Sequence, residues 1–217
     1  MILASGSPRR RELLSRLGFS FDVVVSDADE SVTGDPAPAE RVEMLAMRKA
    51  EAVFSDLLQA AGSADGQRRD PAEVSFDPKR PFVIIGADTM VFAGRPLGKP
   101  KSRADAISMI GSLQGKTHFV CTGCALICRT QTGGEIGRLS FSDRTEVTVR
   151  PMNRSEIEAY VDTGEAYDKA GGYGIQGTFG RFVEGIHGSY DTVVGLPVLQ
   201  LYEKLQDLFE ENVSYDS

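Results

Sequence analysis

Two periodicities alternate along the chain, and together they predict one continuous α/β unit. Short apolar runs rich in β-branched residues predict strands, whereas apolar residues three or four apart predict helices. The predicted strands cover residues 1–4, 21–25, 82–85, 117–128, 139–150 and 179–183. The predicted helices begin just after Ser7, near Pro38, after Ser102, after Asn153 and after Pro197, and the last is expected to bury Leu199, Tyr202, Leu205 and Phe209.

The apolar run at residues 82–85 leads directly into a carboxylate, Asp88. A strand that is apolar on both faces should be buried, so we expect Asp88 to emerge at its end, where the clefts of α/β sheets lie. A desolvated carboxylate there can act as a base, although a turn aspartate is the alternative. Gly86 would allow close backbone approach. Lys99 follows after a hairpin-like turn at residues 93–95, and we expect it to face the same cleft as Asp88.

The first predicted helix carries an unusual pair of cations in its first turn. Ser7 has the position of an N-cap and Pro8 that of the first helical residue, which places Arg9 and Arg10 beside the free backbone N–H groups. Cations oppose the positive end of a helix dipole, so an anion such as phosphate would explain them. A solvated basic face is the alternative.

An acidic loop at residues 26–31 follows the second predicted strand and could hold a divalent cation, with Glu30 as the better ligand candidate. Asp27 and Asp29 also resemble the nucleophile motif of aspartyl-phosphate phosphatases. The acidic pair which that class needs late in the chain is missing. An ordinary surface loop is the remaining alternative.

Lys49 falls on the apolar stripe of the helix predicted for residues 38–58. Because a lysine at a core-facing position is costly unless its amine meets an anion, it either reaches into the cleft or extends to the helix edge. Residues 59–80 are polar and lack periodicity, which predicts a flexible polar insertion within one domain spanning residues 1–217.

The amino-acid composition and net charge limit the kinds of partner and location that we expect for the protein. The 217 residues are 41% hydrophobic, which suffices for one sizeable core, and no apolar run is long enough to cross a bilayer. The net charge of −7 disfavours general nucleic-acid binding, although residues 1–16 carry a local +3. Three cysteines within residues 121–128, without an export signal, favour a reducing, cytoplasmic location with buried thiols. We therefore expect no nucleic-acid partner and no membrane partner.

A glycine-rich stretch at residues 163–177 presents Asp168, Lys169 and Gln176. Its glycines formally match a dinucleotide fingerprint, but no strand-to-helix unit surrounds them. We interpret the stretch as a loop that brings an acid, a cation and an amide close to a ligand.

Five ordered motifs resemble those of the Maf family, and the resemblance runs from Leu3 to about Tyr202. They are LASGSPRR at 3–10, GADT at 86–89, GKP at 98–100, DKAG at 168–171 with IQG at 175–177, and VVGLP at 193–197. The resemblance implies the elongated α/β fold shared with inosine triphosphate pyrophosphatases, a mixed sheet flanked by helices with two lobes around a central cleft. It also implies hydrolysis of a nucleoside triphosphate to the monophosphate and pyrophosphate with a divalent cation, Mg²⁺ or Mn²⁺.

The resemblance makes Asp88 the proton acceptor and places Arg9, Thr89 and Gln176 at specificity positions. Candidate phosphate contacts are Ser5, Arg10, Lys49, Lys99 and Lys169, and the candidate metal ligands are Glu30 and Asp88. The amide of Gln176 offers one donor and one acceptor, which complements O4 and N3–H of uracil or thymine. We therefore expect dTTP and UTP as substrates. A homodimer is a further expectation from the resemblance, and a non-catalytic nucleotide-binding regulator of cell division is the alternative function.

Overall fold

A computed structural model describes residues 1–62, 74–130 and 135–210. The fold is α/β, and its centre is a seven-stranded mixed sheet with the order β2-β1-β3-β5-β6-β7, to which β4 adds by pairing with β3. β1 runs parallel to both of its neighbours, and the other pairings are antiparallel. The strands are β1 (Ile2–Leu3), β2 (Asp22–Val23), β3 (Phe82–Phe92), β4 (Pro96–Leu97), β5 (Thr117–Arg129), β6 (Gly137–Val149) and β7 (Val183–His187).

Helices pack on the sheet and carry the predicted caps. Ser7 caps the first helix and Ser102 the third, and Asn153 forms a reciprocal capping box with Glu156, as the sequence predicted. The helices are α1 (Pro8–Ser15), α2 (Pro38–Gly62), α3 (Arg103–Leu113), α4 (Arg154–Val161), α5 (Tyr190–Val194) and α6 (Val198–Glu210), with 3₁₀ turns at Ala170–Gly172 and Thr178–Phe182.

The central strand β3 is longer than its apolar run predicted, and Asp88 lies inside it rather than at its end. All eleven residues of β3 pair with β5, and Asp88 lies opposite Gly123. This continuous pairing satisfies the backbone beyond the first polar residue, so the strand has no reason to stop there. The expectation that Asp88 follows the strand was therefore wrong, whereas its burial was predicted correctly, since only 8% of the residue is exposed.

Two glycines let α2 lie directly against the sheet. A Cβ on Gly86 would stand 2.1 Å from the carbonyl oxygen of Ala46, and one on Gly123 would stand 2.4 Å from the carbonyl carbon of Val42. Contacts this short are not tolerated, so only glycine fits at either position. α2 is thereby held over the middle of β3 and β5, and its next turn carries Lys49 above Asp88.

Two local predictions near the C-terminus were right only in part, since Val183 does begin a strand and Leu205 is buried as expected. Residues 179–182 belong to a 3₁₀ turn, in which the buried Phe179 and Phe182 are three positions apart, and the strand β7 begins only at Val183. In α6 the buried residues are Leu201 and Leu205, whereas Leu199 is 69% exposed. Tyr202 is also exposed, and the side chain of Phe209 lies outside the described residues.

The predicted insertion at 59–80 coincides only in part with described residues. α2 extends to Gly62, so residues 59–62 are helical, and residues 63–73 lie outside the described part of the chain. Where the description resumes, Phe76 packs edge-on against Phe54 and Phe82. None of the helices in the described ranges combines the length and the apolar character that a bilayer crossing needs.

The three cysteines are buried, as predicted, and one of the histidines makes a buried hydrogen bond. Cys121, Cys124 and Cys128 are buried thiols, and burial raises the pKa of Cys121 to about 11 and that of Cys124 to about 12. Nε2 of His118 lies 2.7 Å from the hydroxyl oxygen of Tyr173, within hydrogen-bonding distance.

Candidate active site

A cavity of about 820 Å³ opens above the middle of β3, between the start of α1, one face of α2 and the glycine-rich loop. Cavities of this size are typical of sites for small-molecule ligands. The ten residues that the family resemblance assigned to catalysis, specificity, phosphate or metal binding all line it: Ser5, Arg9, Arg10, Glu30, Lys49, Asp88, Thr89, Lys99, Lys169 and Gln176.

At the floor of the cavity, Lys49 lies between two carboxylates. Its Nζ is 2.6 Å from Oδ1 of Asp88 and 2.7 Å from Oε1 of Glu30. The hydrogen bond from Lys49 lowers the pKa of Glu30, against the opposing effect of partial burial. Of the two alternatives for Lys49, the structure therefore supports the one in which the amine reaches into the cleft. A largely buried amine and carboxylate are retained together because each compensates the charge of the other.

Arg10 is held in the cavity wall by neutral acceptors. Its Nε donates to the carbonyl of Gly195 at 2.9 Å, its Nη1 to Oγ of Ser5 at 3.3 Å and its Nη2 to Oγ1 of Thr89 at 3.0 Å. Burial lowers the pKa of Arg10, and the nearby charge of Asp88 partly offsets this, but an arginine remains protonated under such shifts. No carboxylate within the described ranges forms a salt bridge with it. Its positive charge is therefore available to an anion in the cavity.

Arg9 and the glycine-rich loop meet across the mouth of the cavity. Nη1 of Arg9 lies 3.1 Å from Oδ2 of Asp168. Lys169 donates to the carbonyl oxygen of Glu165 at 2.7 Å and also contacts Asp168. Burial raises the pKa of Asp168, but hydrogen bonds from Lys169 and Arg9 outweigh this and lower it overall. These contacts tie the loop, which follows α4, to the start of α1.

Gln176 lies between the two 3₁₀ turns, exposed along the cavity wall. The loop beside it is anchored by Glu165, whose Oε2 accepts a hydrogen bond from the backbone N–H of Thr178 at 3.0 Å. The same oxygen would lie 2.1 Å from a Cβ on Gly177, so a larger residue there would displace the Glu165 carboxylate from this position. Sequence analysis did not identify Glu165, because its partner lies thirteen positions away in a loop without periodicity.

Thr89 lines the cavity from β3 and connects Arg10 to the interior. Besides the bond from Arg10, its Oγ1 lies 3.0 Å from Oγ1 of Thr122 on β5. Thr122 is fully buried and was not identified from the sequence either. Only the register of β3 against β5, which places the two threonines opposite each other, could have indicated it.

The donor set restricts how a metal could bind. No cluster of three or more His, Cys, Asp or Glu residues suited to a metal occurs in the parts of the chain that the structure describes. Asp88 and Glu30 nevertheless supply carboxylate oxygens on the same cavity. This fits Mg²⁺, which typically takes one or two carboxylates together with water and substrate phosphates. Asp27 and Asp29 are exposed and do not line the cavity, so the aspartyl-phosphate alternative has no support from their position.

Comparison with known proteins agrees with the geometry. A family model described as "Maf-like protein" matches residues 1–208. The chain is 43% identical over 207 residues to a dTTP/UTP pyrophosphatase of Desulforamulus reducens, with 95% of each chain covered. It is 41% identical to dTTP/UTP pyrophosphatases of Bacillus thuringiensis subsp. konkukian and Bacillus anthracis, with 95% of this chain and 94% of each relative covered.

Proposed function

Because the chain belongs to the Maf family, we propose that it is an enzyme that hydrolyses dTTP and UTP to the nucleoside monophosphate and pyrophosphate. The relatives that carry this activity in their names match almost the whole chain at 41% to 43% identity. The single observation that carries the proposal is the buried carboxylate of Asp88 on the floor of a cavity whose walls present Arg10, Lys49 and Lys99.

In the proposed reaction Asp88 is the general base. A carboxylate within reach of a water molecule takes the proton as the water oxygen attacks the α-phosphorus, and the α–β bridging oxygen leaves with pyrophosphate. Asp88 is well suited to this role because it lies within the continuous pairing of β3 with β5, opposite Gly123, which holds its backbone at a fixed position.

The cations around the cavity offset the charge of the triphosphate. Phosphoryl transfer depends mostly on positioning and electrostatic stabilisation, so fixed cations contribute strongly. Arg10 is already held by three neutral groups and can bind phosphate oxygens with its remaining N–H donors. Lys49 can exchange Glu30 for a phosphate, while Lys99, Lys169 and Ser5 are further proposed contacts.

The cavity also suits a bound divalent cation, for which Asp88 and Glu30 are the proposed ligands. When bound, Mg²⁺ or Mn²⁺ supplies Lewis-acid stabilisation of the phosphate charge. The protein's own contribution is to hold both carboxylates on one cavity beside Lys49 and to leave room for phosphate oxygens as the other ligands.

Gln176 is the proposed reader of the base, beside Arg9 and Thr89. Its amide donor can meet O4 and its acceptor can meet N3–H of uracil or thymine. The exposed position on the cavity wall leaves the amide accessible to a base, while Glu165 fixes the loop behind it.

The buried thiols suit a reducing compartment, and we extend the proposal to a cytoplasmic enzyme. A homodimer remains a prediction from the family, which sedimentation of the purified protein can test.

Purified protein should release pyrophosphate from dTTP and UTP in the presence of Mg²⁺ or Mn²⁺, with dTMP and UMP as the other products. A panel of the common nucleoside triphosphates, each with product identification, provides the comparison. Tight binding without any pyrophosphate release across the panel would instead favour the non-catalytic regulator.

A further inference from the structure

A row of hydrogen bonds leads from the cavity through the sheet into α5. Arg10 Nη2 contacts Thr89 Oγ1 at 3.0 Å, Thr89 Oγ1 contacts Thr122 Oγ1 at 3.0 Å, and Thr122 Oγ1 contacts the carbonyl oxygen of Thr192 at 2.7 Å. The row joins three elements, namely α1, the strand pair β3–β5 and α5.

The direction of every bond in this row follows from chemistry alone. A carbonyl oxygen can only accept, so the single hydroxyl proton of Thr122 is used on Thr192. Thr122 must then accept from Thr89, and the proton of Thr89 is used as well. The guanidinium of Arg10 can only donate, so Thr89 accepts from it. All donors therefore point away from the cavity, and hydrogen bonds aligned in this way strengthen one another.

The C-terminal end of α5 fixes the row at two points. The last carbonyls of a helix lack partners within the helix. Here the carbonyl of Thr192 accepts from Thr122, and the carbonyl of Gly195 accepts from Nε of Arg10 at 2.9 Å. Gly195 follows the helix with a φ of +134°, a backbone conformation that favours glycine. Both ends of the row thus attach to one short helix.

We propose that Thr122, a buried residue with no access to substrate, is a positioning residue that holds Arg10 in place and fixes Thr89 as a pure acceptor towards the substrate. This rests on the proposed function for its substrate, but the geometry of the row does not depend on which nucleotide binds. Thr122 acts only through Thr89, so it is distinct from the residues that contact a ligand.

The fixed proton of Thr89 restricts what can bind beside it. A substrate group that reaches Oγ1 of Thr89 has to donate, as N3–H of uracil or thymine and the sugar hydroxyls do. The carbonyl oxygens of the base cannot bind there, so Gln176 or a backbone N–H has to donate hydrogen bonds to them. Thr122, which is buried in the sheet, therefore determines that Thr89 accepts hydrogen bonds from the substrate and does not donate them.

Neutron diffraction from crystals exchanged into D₂O tests the direction of the row in the wild-type protein. We expect the deuteron of Thr89 on the line to Thr122 and that of Thr122 on the line to the carbonyl of Thr192. A deuteron of Thr89 that points into the cavity would overturn the proposal without any variant being made.

Kinetics test the positioning role. Thr122→Val keeps the shape but removes the hydroxyl, and we expect the KM for dTTP and UTP to rise about 3- to 10-fold, the effect of one hydrogen bond. Thr122→Ser should restore the KM to within about 2-fold, since it keeps the hydroxyl. The matched control is Thr117→Val, also on β5, whose hydroxyl pairs with Thr148 instead; it should leave the KM unchanged.

A purely structural role for Thr122 would lower the amount of folded enzyme, and hence the apparent kcat, at an unchanged KM. That result, or a Ser variant no better than the Val variant, would overturn the proposal. Calorimetric binding of tripolyphosphate, which has no base, separates this proposal from the proposed function. If the wild-type protein does not hydrolyse dTTP and UTP, the proposed function is wrong. Even then, weaker binding of tripolyphosphate by Thr122→Val than by the wild type and Thr117→Val would support the role of Thr122 in holding Arg10.

Discussion

Nζ of Lys49 lies 2.6 Å from Oδ1 of Asp88, although the two residues are 39 positions apart and belong to a helix and a strand. The contact exists because Gly86 and Gly123 let α2 approach the sheet closely enough for a lysine to reach the strand below. A cation on one element and a carboxylate on another are thereby brought to one point of the cavity, where a triphosphate brings further negative charge.

Asp88→Asn should reduce pyrophosphate release by about 10²- to 10⁴-fold while nucleotide binding remains largely intact. The amide keeps the shape of the carboxylate but cannot take a proton from water. Turnover is measured by pyrophosphate release, and binding by calorimetry with a non-hydrolysable nucleotide analogue. Asp27→Asn in the exposed acidic loop is the control and should retain full activity. Near-normal turnover of a folded Asp88→Asn variant would remove Asp88 from the base role.

Gln176→Glu should lower kcat/KM for UTP about 5- to 150-fold, by analogy with base-edge contacts of roughly 1–3 kcal/mol. A carboxylate keeps an acceptor for N3–H but loses the donor for O4, whereas guanine offers two N–H groups to it. The loss for GTP should therefore be smaller, or become a gain. Gln206→Glu on α6 serves as the control for the added charge. If the UTP-to-GTP ratio of a folded variant is unchanged, Gln176 only braces the loop.

Gly86→Ala should destabilise the protein by about 1–3 kcal/mol or more, the usual cost of overpacking a core. Its Cβ would meet the carbonyl of Ala46, a backbone atom that can move only with α2, so Lys49 should shift away from Asp88 and activity should fall as well. Gly111→Ala is the matched control, because nothing lies within 4 Å of its Cβ and alanine suits the interior of α3. Urea unfolding measures the stability and pyrophosphate release the activity. Equal stability of the two variants would contradict the close packing of α2 against β3 at Gly86.

His118 should make stability depend on pH below neutrality. Burial lowers the pKa of His118 from 6.5 to about 4. Between these values the unfolded chain binds a proton that the folded protein does not, so the free energy of unfolding falls as the pH decreases from 6.5 towards 4. The full contribution is about 3 kcal/mol.

His118→Gln keeps a hydrogen-bonding side chain near Tyr173 but does not titrate, so its stability should decline less steeply than the wild type over this range. Urea unfolding at half-unit pH intervals measures the difference. His187→Gln on β7 controls for the loss of a histidine as such. If the free energy of unfolding falls equally steeply with decreasing pH in the wild type and in His118→Gln, the imidazole of His118 is not the source of the pH dependence.

The elements and the charged residues of the site could be predicted from the sequence because they depend on local rules. Capping residues, glycines and apolar spacing located α1 to α4, and the unusual arginines in the first turn of α1 were correctly expected to face a ligand cavity. The position of Asp88 within β3 could not be predicted, since the strand continues only because β5 pairs with it throughout, and Gly123, the residue opposite Asp88, lies 35 positions further along the chain.

The supporting residues of the site were beyond sequence reasoning for a related reason. Thr122 and Glu165 belong to types that are common on protein surfaces, and neither lies in a pattern that indicates function. Their roles come from contacts across the sheet and within an irregular loop, which are fixed by tertiary packing alone.

The placement of Asp88 and Gln176 has a consequence for how this architecture can diversify. Asp88 is buried on a central strand, whereas Gln176 is exposed on a loop whose neighbouring side chains, Tyr173 and Phe179, pack in the core. Under the roles proposed above, a substitution confined to the exposed side chain of Gln176 changes a contact with the base while the core packing of the loop is kept. Thr89, which is also proposed to contact the base, adjoins Asp88 on β3, so its replacement disturbs the catalytic strand as well. Changes of base preference are therefore easier to reach at position 176 than at position 89.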